Sequence, residues 1–357
     1  MTGRAAQLVA LCEQSQVDAF VVTDSHDLRW LTGFTGSSGI AICGPSVMAF
    51  VTDFRYVEQA EDQVDDCFDR VICRLSLEDG LTETLPEGGL LIGFDGRTVT
   101  VAGLQRLTAA LADRANLKET GSHVAQLREV KDPHEIEAIA AATSVADEAL
   151  TATIESGLIG RTERAVAWQL EQEMRNRGAE ALSFEPIVAS GPHAALPHAM
   201  PRDREILPNQ LVVIDWGAQL GGYCSDCTRT LATGDVDEES TAVYELVLRA
   251  QSLAREKVKP GITGSELDQS ARGLIEDAGY GERFGHGLGH GVGLEVHEGP
   301  RVSRTGSSSI VEGNVITIEP GIYIPGRCGV RIEDLVVVTE DGARSLTALP
   351  REMSIVG

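Results

Sequence analysis

A chain of 357 residues is long for one hydrophobic core, and its length implies two domains. A hydrophobic content of 42% with charge spread throughout describes a soluble globular protein and excludes a disordered one. Its 54 Asp and Glu against 30 Lys and Arg leave a formal net charge of −24, a field that repels nucleic-acid backbones and anionic lipid and makes both poor partners.

The opening MTGRAAQLVALCEQSQ has neither the long apolar stretch nor the small-residue cleavage site of a targeting segment, and no run of about eighteen apolar residues occurs anywhere, so a cytoplasmic location is expected. Cysteines stand at 12, 43, 67, 73, 224, 227 and 328, an odd and scattered set that fits reduced thiols. Cys224 and Cys227 make a C-x-x-C, but without a second pair to complete a zinc site both are read as free thiols.

Residues 1–122 read as an α/β domain. A helical opening around Leu8 and Leu11 leads to the strand DAFVVTD, then a loop, DLRWLTGFTGSSG, then the strands IAIC and VMAFVTD. FRYVEQAEDQV reads as a helix, LLIGFDG as a strand and TVAGLQRLTAALADR as a helix, which favours a mainly parallel or mixed sheet. No strand is followed by G-x-G-x-x-G, so a dinucleotide site is rejected.

The second domain, 123–357, is announced by LREVKDPHEIEAI. Asp132 suits an N-cap, Pro133 the first helical position and Glu135 the returning bond of a capping box, with Ile136, Ile139, Ala140, Thr143 and Ala146 following at helical spacing. Further helices are expected in TERAVAWQLEQEMRNRG, ESTAVYELVLRAQSLAREKV and SELDQSARGLIEDAG, the last capped by Ser265. Between them FEPIVAS, LVVIDWGAQL, GYCSDCTRTLA, VITIEPGIYI and VRIEDLVVVT read as strands in hairpin-like pairs, an α+β domain.

Four of these strands carry an acid where a core strand would want a hydrophobe: Asp215 after LVVI, Asp226 in CSDCT, Glu319 after VITI and Glu333 in VRIEDLVVV. A carboxylate on a buried strand is costly unless paired or metal-bound. One such acid is most often an edge residue or half of a salt bridge. Four of them change the comparison when HGLGHGVGLEVHE, residues 286–298, also holds three of the eight histidines among repeated glycines. Carboxylates with an imidazole and no required thiolate suit manganese, cobalt, zinc or iron, and bridging acids can hold two cations about 3.5–4 Å apart. Strand alternation places Cys224 on the face of Asp226, where it reads as an inert buried thiol.

The order Asp215, Asp226, His290, Glu319, Glu333, set in IDWGAQLGGYCSDCTRT, HGLGHGVGLEVHEGP, TIEPGIY and RIED, resembles the pita-bread dinuclear metallopeptidases, which include methionine aminopeptidase, aminopeptidase P and prolidase. RWLTGFTGSSG and VTDFRY in the first domain look like the creatinase-like N-terminal domain of the proline-specific branch. The resemblance implies that those five residues ligate two divalent ions, manganese by family expectation with cobalt or zinc as alternatives, Asp226 and Glu333 bridging. It also implies that His198, in SGPHAALPHA, stands near the scissile peptide and that His297 contacts the substrate carbonyl. His286 and Arg331 match the additional active-site histidine and arginine of the branch, and Glu319 takes the proton of the attacking water. His193 departs from the Asn of many relatives and reads equally as a polar participant or a solvated loop residue.

The expected activity is metal-dependent hydrolysis, by a hydroxide bridging the two ions, of the bond between an N-terminal residue and proline: an Xaa-Pro aminopeptidase. The alternative is an Xaa-Pro dipeptidase, or prolidase, restricted to dipeptides; further off stands an interaction module on the same fold. The expected partners are peptides with proline second and a second copy of the chain. In that homodimer TGFTGSSG and Tyr56 would line the rim of the neighbour's site.

Overall fold

In the computed structural model, which describes residues 3–357, the chain divides into two units, one ending at Arg128 and the other spanning Glu129–Gly357. No helix among the described residues is long and apolar enough to cross a membrane.

The first unit is built on a six-stranded sheet in the order Asp69–Ile72, Val47–Thr52, Ile40–Gly44, Ala19–Val22, Leu90–Phe94, Ala115–Glu119. Ile40–Gly44 pairs antiparallel with both its neighbours, being joined to Val47–Thr52 by the tight turn at Pro45 and Ser46, while the other three pairings are parallel. Ala19–Val22 and Ile40–Gly44 are buried along their whole length, which is why they read as unbroken apolar runs. Leu81, from the helix Leu77–Thr84, and Leu107 and Leu111, from the helix Val101–Leu111, close the core of this sheet.

Two expectations change here. DLRWLTGFTGSSG does not begin as a loop: Ser25–Thr32 is a helix, because the Asp24 carboxylate accepts from the amides of His26 and Asp27 and Gly33, at φ 84°, stops it. Leu28, Trp30 and Leu31 bury its inner face. The helix His123–Arg128 also belongs to this unit, which therefore runs past residue 122; Arg128 bonds the buried Asp27 at 2.7 Å.

In the second unit the capping box at Asp132 and Glu135 opens the helix Pro133–Glu155. Thr162, Asp237 and Thr263 cap Glu163–Asn176, Glu238–Lys257 and Gly264–Asp277. The last cap is Thr263, not Ser265: its hydroxyl accepts from the Glu266 amide and Glu266 returns the bond, a pairing that Ser265 stands too close to make. The strands are antiparallel throughout. Cys227–Ala232, Leu211–Trp216 and Ile187–Ser190 form one sheet, and a five-stranded sheet runs Glu298–Val302, Gly289–Gly291, Val315–Ile318, Asp334–Thr339, Gly342–Ser345. Gly321–Ile324 pairs with Cys328–Arg331.

Each pair of helices covers one face. Leu150, Val166 and Leu170 pack on Val212, Ile214 and Trp216, while Val243, Val247 and Leu267 pack on Ile316, Ile318, Val336 and Val338. Burying each such side chain contributes about 1.5–3 kcal/mol, enough to fix which face turns inward. With Val212, Ile214 and Trp216 committed to the helices, alternation turns Val213 and Asp215 to the opposite face.

The other three acids do not lie within strands. Asp226 falls in the two-residue break between Tyr223–Cys224 and Cys227–Ala232, Glu319 in that between Val315–Ile318 and Gly321–Ile324, and Glu333 in that between Cys328–Arg331 and Asp334–Thr339. At each break the chain leaves one sheet for another. The ladder is interrupted there, which leaves room for a carboxylate without spoiling a packed face. The break also ends the alternation that would put Cys224 beside Asp226. The Cys224 thiol instead faces the Leu294 carbonyl at 3.8 Å in a cluster with Val292 and Val315, and burial pushes it up, as suits an inert thiol.

Candidate metal centre

The sheet crossings deliver their side chains to one cavity of about 420 Å³, bordered by Asp215, Asp226, His290, Glu319 and Glu333 and equally by His198, His286, His297 and Arg331. The five expected ligands and the expected catalytic His198, His286, His297 and Arg331 are therefore brought together in the second unit. His290 arrives on the short strand Gly289–Gly291, whose glycines are needed for contact with the neighbouring strands: a Cβ at Gly289 would lie 2.0 Å from the Thr317 carbonyl oxygen, and one at Gly291 1.9 Å from that of Gly299.

One ligand atom each from Asp226, His290 and Glu333 lies within 4.8 Å of the others. His290 Nε2 is 3.4 Å from Glu319 Oε1 and 3.6 Å from Asp226 Oδ2. The other ring nitrogen, Nδ1, is 3.0 Å from the Gly291 carbonyl, which can only accept, so Nδ1 keeps its proton in either charge state of the ring and Nε2 is the nitrogen turned toward the acids. Glu333 Oε2 accepts from the Thr228 hydroxyl at 2.6 Å, and Glu319 Oε1 from that of Thr317 at 3.2 Å. Asp215 Oδ2 accepts from Arg331 at 2.5 Å. Its Oδ1, buried, has no hydrogen-bond partner among the described residues.

The electrostatics call for a cation. Burial pushes Asp226 and Glu333 well above the ordinary carboxylate range, and the charges of neighbouring acids push them further. Asp215 is raised by burial too, with Arg331 opposing. Burial alone would raise Glu319 as well, but the hydrogen bond and charge of His290, with His286 and Arg331, outweigh it and hold it down at about 2. Burial would lower His290, yet Glu319 overrides it and the ring is raised. Four carboxylates gathered this way cannot all ionise beside one histidine and Arg331 unless further positive charge joins them. The orphaned Asp215 oxygen, the inward-facing Nε2 of His290 and the oxygen-rich donor set fit divalent ions.

Arg331 organises the far side. Besides Asp215 it donates to the Thr228 hydroxyl at 2.9 Å, the Tyr323 hydroxyl at 2.8 Å and the Pro197 carbonyl at 3.2 Å. Tyr323 in turn lies 3.0 Å from His286 Nε2, and His286 Nδ1 donates to the Gly287 carbonyl at 2.8 Å, so Nε2 accepts from the tyrosine. Burial pushes His286 down and keeps it neutral. His297, half-buried and also pushed down by burial, lies edge-on to the His290 ring with centroids 4.4 Å apart. Tyr323, Thr228 and Thr317 were not singled out from the sequence, because a hydroxyl in an apolar run carries no signal of its own.

His193 is not a solvated loop residue. It is buried, with Nδ1 2.8 Å from Oε2 of the fully buried Glu163, and it does not border the cavity.

Fold and site define a pita-bread catalytic domain preceded by a creatinase-type α/β domain. Residues 137–340 match Metallopeptidase family M24 and residues 4–130 the Creatinase/Prolidase N-terminal domain. The chain belongs to metallopeptidase family M24. It is 38% identical to an Xaa-Pro dipeptidase of Pyrococcus horikoshii over 99% of each chain. Among solved structures it superposes on an Xaa-Pro dipeptidase from Bacillus anthracis with a TM-score of 0.94, at 35% identity and 99% coverage of both chains. It superposes on an X-Pro aminopeptidase from Thermotoga maritima with a TM-score of 0.90, at 37% identity, covering 99% of this chain and all of that one.

Proposed function

We infer that this metallopeptidase is an Xaa-Pro dipeptidase, with Asp215, Asp226, His290, Glu319 and Glu333 holding two divalent ions. The observation that carries the metal reading is the buried carboxylate cluster around Nε2 of His290. The sequence alone placed an aminopeptidase first. Full-length relatives bearing the dipeptidase name favour the narrower substrate, while the Thermotoga aminopeptidase, at a like identity, supports the second reading. Manganese is the metal we favour for so oxygen-rich a donor set, in a cytoplasmic homodimer.

Bound there, the ions would supply Lewis-acid activation of water and of the scissile carbonyl. The protein's own groups do the rest. Neutral His297 donates to the carbonyl oxygen as it gains charge, a preorganised contribution. His198, exposed at the cavity edge, accompanies proton transfer to the leaving proline nitrogen, with Glu319 as the base toward water. Arg331 holds Asp215 in place, and through Tyr323 fixes the orientation of His286. Proline requires such a dedicated site because its tertiary amide lacks the N–H that other peptidases grip.

His297→Ala is expected to keep its metal content and lose about 10²–10³ in kcat, the usual cost of removing one such donor; metal analysis beside steady-state kinetics checks it, and loss of metal would mean that His297 is a ligand. The substrate reading is tested with manganese-loaded protein on an Xaa-Pro dipeptide and an Xaa-Pro-Xaa tripeptide. Cleavage of the dipeptide alone is expected. Cleavage of the tripeptide establishes the aminopeptidase.

A further inference from the structure

Glu163 opens the helix Glu163–Asn176 and is fully buried. Its Oε1 accepts from the amide and the hydroxyl of Ser190, both at 2.8 Å. Its Oε2 accepts from His193 Nδ1 at 2.8 Å and from the Arg202 amide at 3.2 Å. The helix backbone continues the grip: the amides of Glu163 and Arg164, donors that a first turn leaves unpaired, reach the carbonyls of Arg204 and Arg202 at 2.9 and 3.1 Å. One carboxylate thus fastens the start, the middle and the end of the segment 190–202. Its charge is satisfied by four donors and sits at a helix N-terminus, where a negative group is favoured.

The opposite side of the segment is held by the strand Cys328–Arg331. A Cβ at Gly329 would lie 1.8 Å from the Ala194 carbonyl oxygen, so only glycine lets the two backbones pass, and Arg331 donates to the Pro197 carbonyl at 3.2 Å. At the entry Gly191, with φ 53°, turns the chain from strand into the short turn Gly191–Ala195 that carries His193 inward. Between these two clamps Pro197, His198 and Met200 border the cavity, whereas neither Glu163 nor His193 does.

We propose that Glu163, acting through Ser190, His193 and Arg202, is a positioning residue that holds the segment 190–202 so that His198 meets the scissile bond. This rests on the reading of His198 as a substrate-contacting group. A catalytic group displaced by about 1 Å loses on the order of a hundredfold in rate. Metal ligands come from other segments, so metal content is unaffected.

The test compares manganese-loaded wild type, Glu163→Gln, His193→Leu and His193→Asn on an Xaa-Pro dipeptide, with metal content and tryptic cleavage at Arg202 and Arg204 measured on the same samples. Glu163→Gln and His193→Leu should lower kcat roughly tenfold to a hundredfold with little change in KM. Both should keep their metal and become cleavable at those arginines. His193→Asn, whose amide still donates to Glu163, should behave as wild type. Unchanged kcat and proteolysis in both disruptive variants overturn the proposal, as does an equal loss in His193→Leu and His193→Asn. Should Glu163→Gln fail to fold, the two His193 variants decide. Wild-type protein that cleaves no Xaa-Pro peptide overturns the functional reading instead, and the tryptic pattern still decides whether Glu163 holds the segment.

Discussion

Glu319→Ala is expected to fall by about 10³-fold or more in Xaa-Pro hydrolysis and to bind less metal, while its fold is retained. Glu319 is the acid nearest His290 Nε2, at 3.4 Å, and its carboxylate is aimed by the Thr317 hydroxyl while its amide is tied to the Leu288 carbonyl at 2.8 Å. Its removal deletes a donor for the ions and the base assigned to the attacking water. Metal activation is worth several kcal/mol and each 1.36 kcal/mol is a factor of ten, which sets the scale of the loss. The fold survives because the side chain stands in a break between strands and alanine keeps the backbone bond to Leu288. Kinetics, metal analysis and circular dichroism on the variant check this; full activity would mean that the centre lies elsewhere.

The second large effect concerns pH. In metal-stripped protein Asp215, Asp226, Glu333 and His290 all have their folded-state pKa above its ordinary value. A group raised in this way contributes stability below its unfolded pKa and loses it as pH climbs through the folded one, because the native state holds the extra protons. Glu319, held at about 2, works oppositely, but its contribution is lost only in strong acid. The metal-free protein should therefore become less stable between about pH 5 and pH 8. Divalent metal should reverse the trend, since its ligands must be deprotonated and binding releases their protons. At a hundredfold excess over Kd each site adds about 2.7 kcal/mol, roughly 5–10 °C in Tm for a unit of this size. Thermal melts at pH 5.5 and 8.0 with and without manganese check it: the gain should be larger at pH 8.0, and a gain independent of pH would contradict the cluster as the binding site.

Much of this site was legible because chemistry that opposes folding stands out. Asp215, Asp226, Glu319 and Glu333 are visible as charges among apolar residues, and His290 by the glycines that its close-packed strand requires. The capping box at Asp132 and Glu135 was equally plain, being local. What escaped depends on distant partners. The exchange of sheets at the acids follows from pairing between remote strands. Tyr323 gains its role only through Arg331 and His286, and His193 acquires a buried partner, Glu163, from a preceding helix. The helix Ser25–Thr32 was hidden for another reason: it is short, and the Gly- and Ser-rich segment after it outweighed the Asp24 cap.

The most direct measurement is a manganese titration of metal-stripped protein, reading bound metal and Xaa-Pro dipeptide hydrolysis on the same samples. No cleavage is expected without metal, two ions should bind per chain, and hydrolysis should follow their binding. Cleavage by the metal-free protein, or no cleavage with both ions bound, would contradict the metal reading.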